Sequence, residues 1–244
     1  MATSSKLANV RPTDNGPPQP QPAERNAREE RILDAAATLL VRWGYRKTTI
    51  DDVAREAGVA KGTIYLHWKD KTELFRSAIW RASQQTTDDA LQRMAADPEG
   101  GHFHRLWAHG MLAIFANPLL AALMKGNSDI FQGLMDTLDQ RTINQIIGNA
   151  EEHITQLQQA GLIRADLPVN VITFLMGALK IGIIHTSDLM DQEERPSIEA
   201  LTDALSDLMR RWLEPDHLKG DSETGKHIMA EWLEHINEFA SQQQ

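Results

Sequence analysis

The 244-residue chain contains no cysteine, which excludes disulfides, thiolate metal sites and a cysteine nucleophile. No apolar run reaches the roughly 20 residues that a membrane-crossing helix requires. The N-terminus is polar and proline-rich, with GPPQPQP at residues 16–22, and lacks the apolar stretch of a signal peptide. Alternating strand patterns, a phosphate loop, a nucleophile motif and a metal constellation are missing too. These absences lead to the expectation of a soluble, cytoplasmic, all-α protein that is not an enzyme.

What is present is concentrated between Thr48 and Phe75, in the run TTIDDVAREAGVAKGTIYLHWKDKTELF. Ahead of it, Ile32, Ala36, Leu39, Leu40 and Trp43 form one apolar stripe at helical spacing, and Gly44 is placed for a left-handed cap. Thr48 or Thr49 can serve as N-cap for a second helix carrying Ile50, Val53, Ala54 and Ala57. Asp51 and Asp52 suit its positive end. Gly58 supplies a positive φ at the turn. A third helix from about Ala60 to His67 buries Ile64 and Trp68 and turns Lys61, Thr63, Tyr65 and His67 outward. Asp70 with Glu73 reads as a capping box for a fourth helix bearing Leu74, Phe75, Ala78 and Ile79.

Two short helices joined by a glycine turn make a helix-turn-helix, and residues 28–82 resemble the DNA-binding head of the TetR family of bacterial transcriptional regulators. The run from Lys61 to Lys71 is similar to that family's recognition helix and exit turn, with Trp68 where the family usually has phenylalanine. The resemblance implies an N-terminal three-helix head, a larger helical ligand-binding and dimerisation domain, and a double-stranded DNA operator as partner. It places base-edge readout near Lys61, Gly62 and Thr63. Gly62 lets backbone approach the groove, and Lys61 can donate to guanine acceptors. Tyr65, His67, Lys71, Thr48 and Thr49 would anchor phosphates. Arg28 lies where the tail can reach phosphate or a minor groove, a passive tail being the alternative. For Tyr65 and His67 the bland reading is solvated helix surface.

Charge follows the same division. The net charge is −9, an odd balance for a DNA-binding chain until it is divided. Residues 25–81 hold twelve Lys or Arg against eight Asp or Glu, while the rest holds thirteen against twenty-six. A head of +4 on a body of −13 orients the molecule toward a polyanion.

The expected domains are a disordered tail at 1–24, the head at 25–82, a ligand-binding and dimerisation domain at 83–214 and an extension at 215–244. The body reads as helices over Phe103–Phe115, Leu119–Met124, Ser128–Ala160, Pro168–Met190 and Ser197–Leu213. In the resembled family a small-molecule effector enters the body, and Phe103, Trp107, Met111, Phe115, Met124, Phe131, Met135 and Phe174 are candidates to line its site. At helical spacing, plain core is the competing assignment. The last two body helices pair across a two-fold axis in that family. This makes Phe174, Gly177, Ala178, Ile181, Gly182, Leu201, Leu205, Leu208 and Trp212 the candidate homodimer interface. An intramolecular core is the alternative. His102, His104 and His109 do not share a helix face in a metal-binding spacing, so no metal and no cofactor is expected. A final amphipathic helix with Met229, Trp232, Leu233, Ile236 and Phe239 is unexplained by the resemblance; packing on the body is its default role. A repressor released by an apolar or aromatic ligand is the leading expectation, against an activator or protein-recruiting adaptor.

Overall fold

The computed structural model describes residues 22–124 and 140–241, and every regular element among them is helical. The head comprises α1 (Pro22–Lys47), α2 (Ile50–Ala57) and α3 (Lys61–Tyr65). The body follows with α4 (Lys71–Ala96), α5 (Phe103–Ala116), α6 (Pro118–Met124), α7 (Gln140–Gln159), α8 (Val169–Leu189) and α9 (Ile198–Leu213). A last helix, α10, spans Ser222–Ser241, and a 3-10 turn, Gln192–Glu194, precedes α9. α1 begins at Pro22, ahead of Arg28, so residues 22–24 of the expected tail are helical.

Two cores organise these helices. The head core gathers Ile32, Leu39, Leu40, Val53, Ile64, Trp68, Leu74 and Phe75, and Leu119 of α6 enters it from the body. The body core contains Phe103, Leu106, Trp107, Met111, Leu157, Leu162, Ile172, Met209 and Leu213. α4 belongs to both, through Leu74 to Ala82 at one end and Met94 at the other. Its 26 residues give a rod of about 39 Å at the standard helical rise. Asn117 ties the second link: its side-chain amide donates to Ala82 O, and its Oδ1 accepts from Leu119 N and Leu120 N at the start of α6.

α9 packs mainly on α5, and its buried row is Thr202, Leu205, Met209 and Leu213. This corrects the seam expected from sequence. Leu205 lies in the chain's own core, because α9 carries a second apolar row turned toward α5. Leu201 and Trp212 pack at the edge of the same core, and Leu208 is left exposed.

α10 is seated on its own body. Gly101 donates its N–H to Ser222 Oγ at 3.0 Å. A Cβ on Gly101 would lie 1.7 Å from Ser222 O, and one on Gly225 would lie 1.9 Å from Gly101 O. Only glycine permits this backbone-to-backbone crossing at the α4–α5 corner. Farther along, Trp232 stacks on His153 of α7, with ring centroids 4.6 Å apart.

Candidate nucleic-acid interface

The head is set by two unusual backbone positions. Gly44 has φ 77 and ψ 173, a region essentially reserved for glycine, so the chain breaks there by an extended kink and not by the left-handed cap expected. Gly58 does adopt the left-handed conformation, φ 66 and ψ 37, and Val59 N donates to Ala54 O across the turn. A Cβ at Gly58 would meet nothing within 4 Å, so the demand for glycine is conformational.

Thr49 is the N-cap of α2. It forms a reciprocal box with Asp52: Asp52 N donates to Thr49 Oγ1, and Thr49 N donates to Asp52 Oδ2. The Thr49 hydroxyl also donates to Asp52 Oδ2 at 2.6 Å. Thr48, by contrast, is fully buried. Its hydroxyl donates to Gly44 O at 2.9 Å, with Leu39 O at 3.2 Å, so it locks the α1–α2 corner. This removes Thr48 from the phosphate-anchoring set.

α3 opens at Ala60 without a side-chain cap, and Thr63 N donates to Ala60 O. Ile64 and Trp68 plug the helix into the core, and Trp68 Nε1 donates to Ser77 Oγ at 3.0 Å on α4. That leaves Lys61, Gly62 and Tyr65 exposed and Thr63 half-buried. Lys61 Nζ lies 2.9 Å from Asp51 Oδ2, both side chains being open to solvent. A Cβ at Gly62 would meet nothing within 4 Å; no neighbour among the described residues requires the bare backbone there.

His67 departs from expectation. Its side chain is nine-tenths covered, and Nδ1 sits 2.6 Å from Glu29 Oε1. It ties the exit of α3 to α1 and does not face outward with Tyr65, so it too leaves the phosphate set. The reason is a partner 38 positions earlier in the chain, which no local pattern reveals. Arg28 is half-buried on α1.

At the start of α4, Asp70 Oδ1 accepts from Glu73 N, while Glu73 returns its bond one residue early, accepting from Lys69 N at 2.7 Å. Lys71 Nζ rests 4.5 Å above the Tyr45 ring and 5.6 Å from that of Phe75. Burial pushes the Lys71 ammonium below its usual range, and the aromatic faces offset part of that cost. The cradle is itself fixed, for Tyr45 Oη and Thr72 Oγ1 are 3.1 Å apart. Arg81 clamps α4 to α1 through Glu30 and Asp34.

In the body, Phe103, Trp107 and Met111 are buried together and Phe115 packs at their margin. Phe131 and Met135, and the side chains of Met124 and Ile181, lie outside the described residues. Phe174 is 74% exposed, which removes it from the candidate lining and leaves it on the outer face of α8. Ala178 and Gly182 are exposed on that helix and Gly177 is half-exposed. The histidines are engaged locally. His104 Nδ1 lies 2.8 Å from Glu214 Oε1, and His109 Nε2 lies 2.9 Å from Asp97 Oδ2. Among the described residues no group of three or more His, Cys, Asp and Glu could hold a metal. Sequence reasoning missed His153, whose buried ring nitrogens have no hydrogen-bond partner among the described residues.

A positively charged head with a glycine-turned helix pair, one face buried and the other bare, defines a helix-turn-helix DNA-binding protein. Residues 32–78 match the model of the family described as bacterial regulatory proteins, tetR family. The helix-turn-helix regulator YhgD of Bacillus subtilis is 27% identical over 164 residues, covering 64% of this chain and 82% of its own length. The transcriptional repressor BepR of Brucella suis is 26% identical over 192 residues, covering 78% and 83%. Among solved structures, NalD of Pseudomonas aeruginosa superposes with a TM-score of 0.55 at 19% identity, over 79% of this chain and 100% of that one; this likeness is one of fold. Over its head the chain thus matches the tetR family of bacterial regulatory proteins, and over most of its length it is similar to DNA-binding transcriptional regulators, a class distinct from enzymes.

Proposed function

We propose that the chain is a homodimeric repressor, working in the cytoplasm and released from a palindromic or nearly palindromic operator by a small apolar or aromatic ligand. The observation that carries the DNA-reading half is the division of α3. Ile64 and Trp68 are sunk in the head core while Lys61, Gly62 and Tyr65 stand clear of it. Lys61, Gly62 and Thr63 read base edges, whereas Tyr65, Lys71, Thr49 and Arg28 hold the phosphate backbone. The similar protein BepR is by name a repressor, which favours repression over activation here.

Release requires a path from body to head. α4 belongs to both cores and α6 inserts Leu119 into the head core, so a ligand that repacks Phe103, Trp107, Met111 and Phe115 acts on both links. To move the balance of head spacings from 1:99 to 99:1 it must prefer one state by about 5.5 kcal/mol. The test is a gel-shift assay on DNA upstream of the chain's own gene, with and without a panel of apolar and aromatic compounds. A complex that a compound dissolves supports the repressor reading. A complex indifferent to every compound favours a protein-recruiting adaptor, and no complex at all refutes operator binding.

A further inference from the structure

The outward side of α3 carries two rows, each spaced by four residues and therefore aligned along the helix. Lys61 and Tyr65 make the first, which is polar. Gly62 and Leu66 make the second, which is bare backbone followed by a leucine. Leu66 closes the helix in the right-handed conformation, φ −74 and ψ −22, so it continues the angular progression from Gly62. It is 78% exposed, more than Val41, Trp43 or Tyr65, the other exposed large apolar side chains of the head.

Among the described residues nothing in the packing calls for a leucine there, since Ile64 and Trp68 already fill the core positions of this turn. A leucine has no donor or acceptor for a phosphate or a base edge. In a major groove the apolar feature it can match is the C5-methyl group of thymine. The open space beside Gly62 lets that part of the helix approach the groove floor closely enough for such contact.

We propose that Leu66 is a specificity-determining residue that selects thymine in the operator by packing against its C5-methyl group. The inference rests on the reading of α3 as the recognition helix and adds a base choice that Lys61 cannot make.

Deoxyuridine, which lacks only that methyl group, provides the test. Full-length protein is used to enrich a duplex from a randomised pool, and the enriched duplex is remade with deoxyuridine in place of thymine. Wild type should bind the uracil duplex about fourfold more weakly for each methyl contacted, the effect of leaving one buried methyl group in water. Leu66→Ser should bind the thymine duplex more weakly and discriminate less between the two, while Leu66→Met should keep the discrimination. Lys71→Ala should lose affinity equally on both duplexes. The proposal is overturned if wild type shows no preference for thymine, or if Leu66→Ser keeps the full wild-type preference. A pool from which no duplex is enriched would overturn sequence reading by α3 itself, a different failure from enrichment without methyl dependence.

Discussion

Four side chains, His153, Asp97, Thr48 and Lys61, divide between stability and recognition. His153 is 5% exposed, stacked on Trp232, and among the described residues neither ring nitrogen has a hydrogen-bond partner. Burial pushes it down to about 4 from an ordinary 6.5. Its neutral form is the one the fold accepts, so its contribution is complete above pH 6.5 and declines as pH falls toward 4. The loss amounts to about 3 kcal/mol by linkage. Asp97 does not share that window. Burial opposes its charge, but hydrogen bonds from His109, Glu99 N–H and Arg105 prevail and hold it at about 2, so its stabilisation fades only below about pH 4. Chemical denaturation between pH 7 and 4 should therefore show a fall in stability that His153→Phe flattens; an unchanged slope would assign the acid sensitivity to other groups. Thr48 should behave as a structural residue. Thr48→Val removes a buried donor from Gly44 O, at about 1 kcal/mol of stability, and should lower the melting temperature without changing the salt dependence of DNA binding. Lys61 makes an exposed ion pair with Asp51, which would have to open for the base contact proposed above. Asp51→Asn frees it and removes a negative charge facing the duplex. Titrations should then show tighter binding, whereas Lys61→Ala weakens operator binding on the order of tenfold. Weaker binding by Asp51→Asn would mean that the acid positions Lys61 for contact.

Among the elements, the helix-turn-helix was the most legible, because each local rule points the same way there. The Gly58 turn, the Thr49 cap, the Asp70 start and the Ile64 and Trp68 plugs can all be read within four or five residues. What the sequence could not display were contacts made over long separations. Thr48 and His67 carry the expected polar groups, but Leu39 O and Gly44 O claim one and Glu29 the other. α9 has two apolar rows, and its own periodicity could not say which of them faces α5. The seat of α10 depends on Gly101 and Gly225 meeting across the fold, a pairing that composition cannot reveal. That seat gives an element-scale prediction. In Gly225→Ala the new methyl group collides with Gly101 O, and backbone on both sides leaves no flexible side chain to yield. Overpacking of this kind costs about 1–3 kcal/mol or more. The helix should detach from the α4–α5 corner, raising hydrogen exchange over α10 and in the Gly100–Gly101 turn while the head keeps its wild-type protection. Unchanged exchange in that turn would mean that α10 is held by Trp232 and its neighbours alone.

At the scale of the whole molecule, a head of +4 is carried on a body of −13, so the body is repelled by the polyanion that the head approaches. A single small head of that charge binds duplexes weakly and with strong salt dependence. Coupling two heads raises the effective concentration of the second, and avidity can exceed single-site affinity by about 10²–10⁴-fold. For the homodimer proposed above, the candidate coupling surface is the outer face of α8, where Val171, Phe174 and Leu175 are exposed beside Ala178 and Gly182, with Leu208 exposed on α9. Gly177 and Gly182 have open space where a Cβ would stand, which allows a second helix to come close. Phe174 is the most exposed aromatic side chain described, and a buried aromatic anchor at the centre of an interface is where binding energy concentrates. Phe174→Asp places a charge there at little cost to the separate chain, whose core it does not enter. Sedimentation velocity should show the wild type as a dimer and the variant as a monomer with an unchanged melting profile. The variant's operator affinity should fall about a hundredfold or more, and its binding should respond less steeply to salt because each complex engages fewer phosphates. If Phe174→Asp remains dimeric, the outer face of α8 is not the surface that joins the subunits. If it is monomeric yet binds the operator as wild type does, one head suffices and the two-site reading fails.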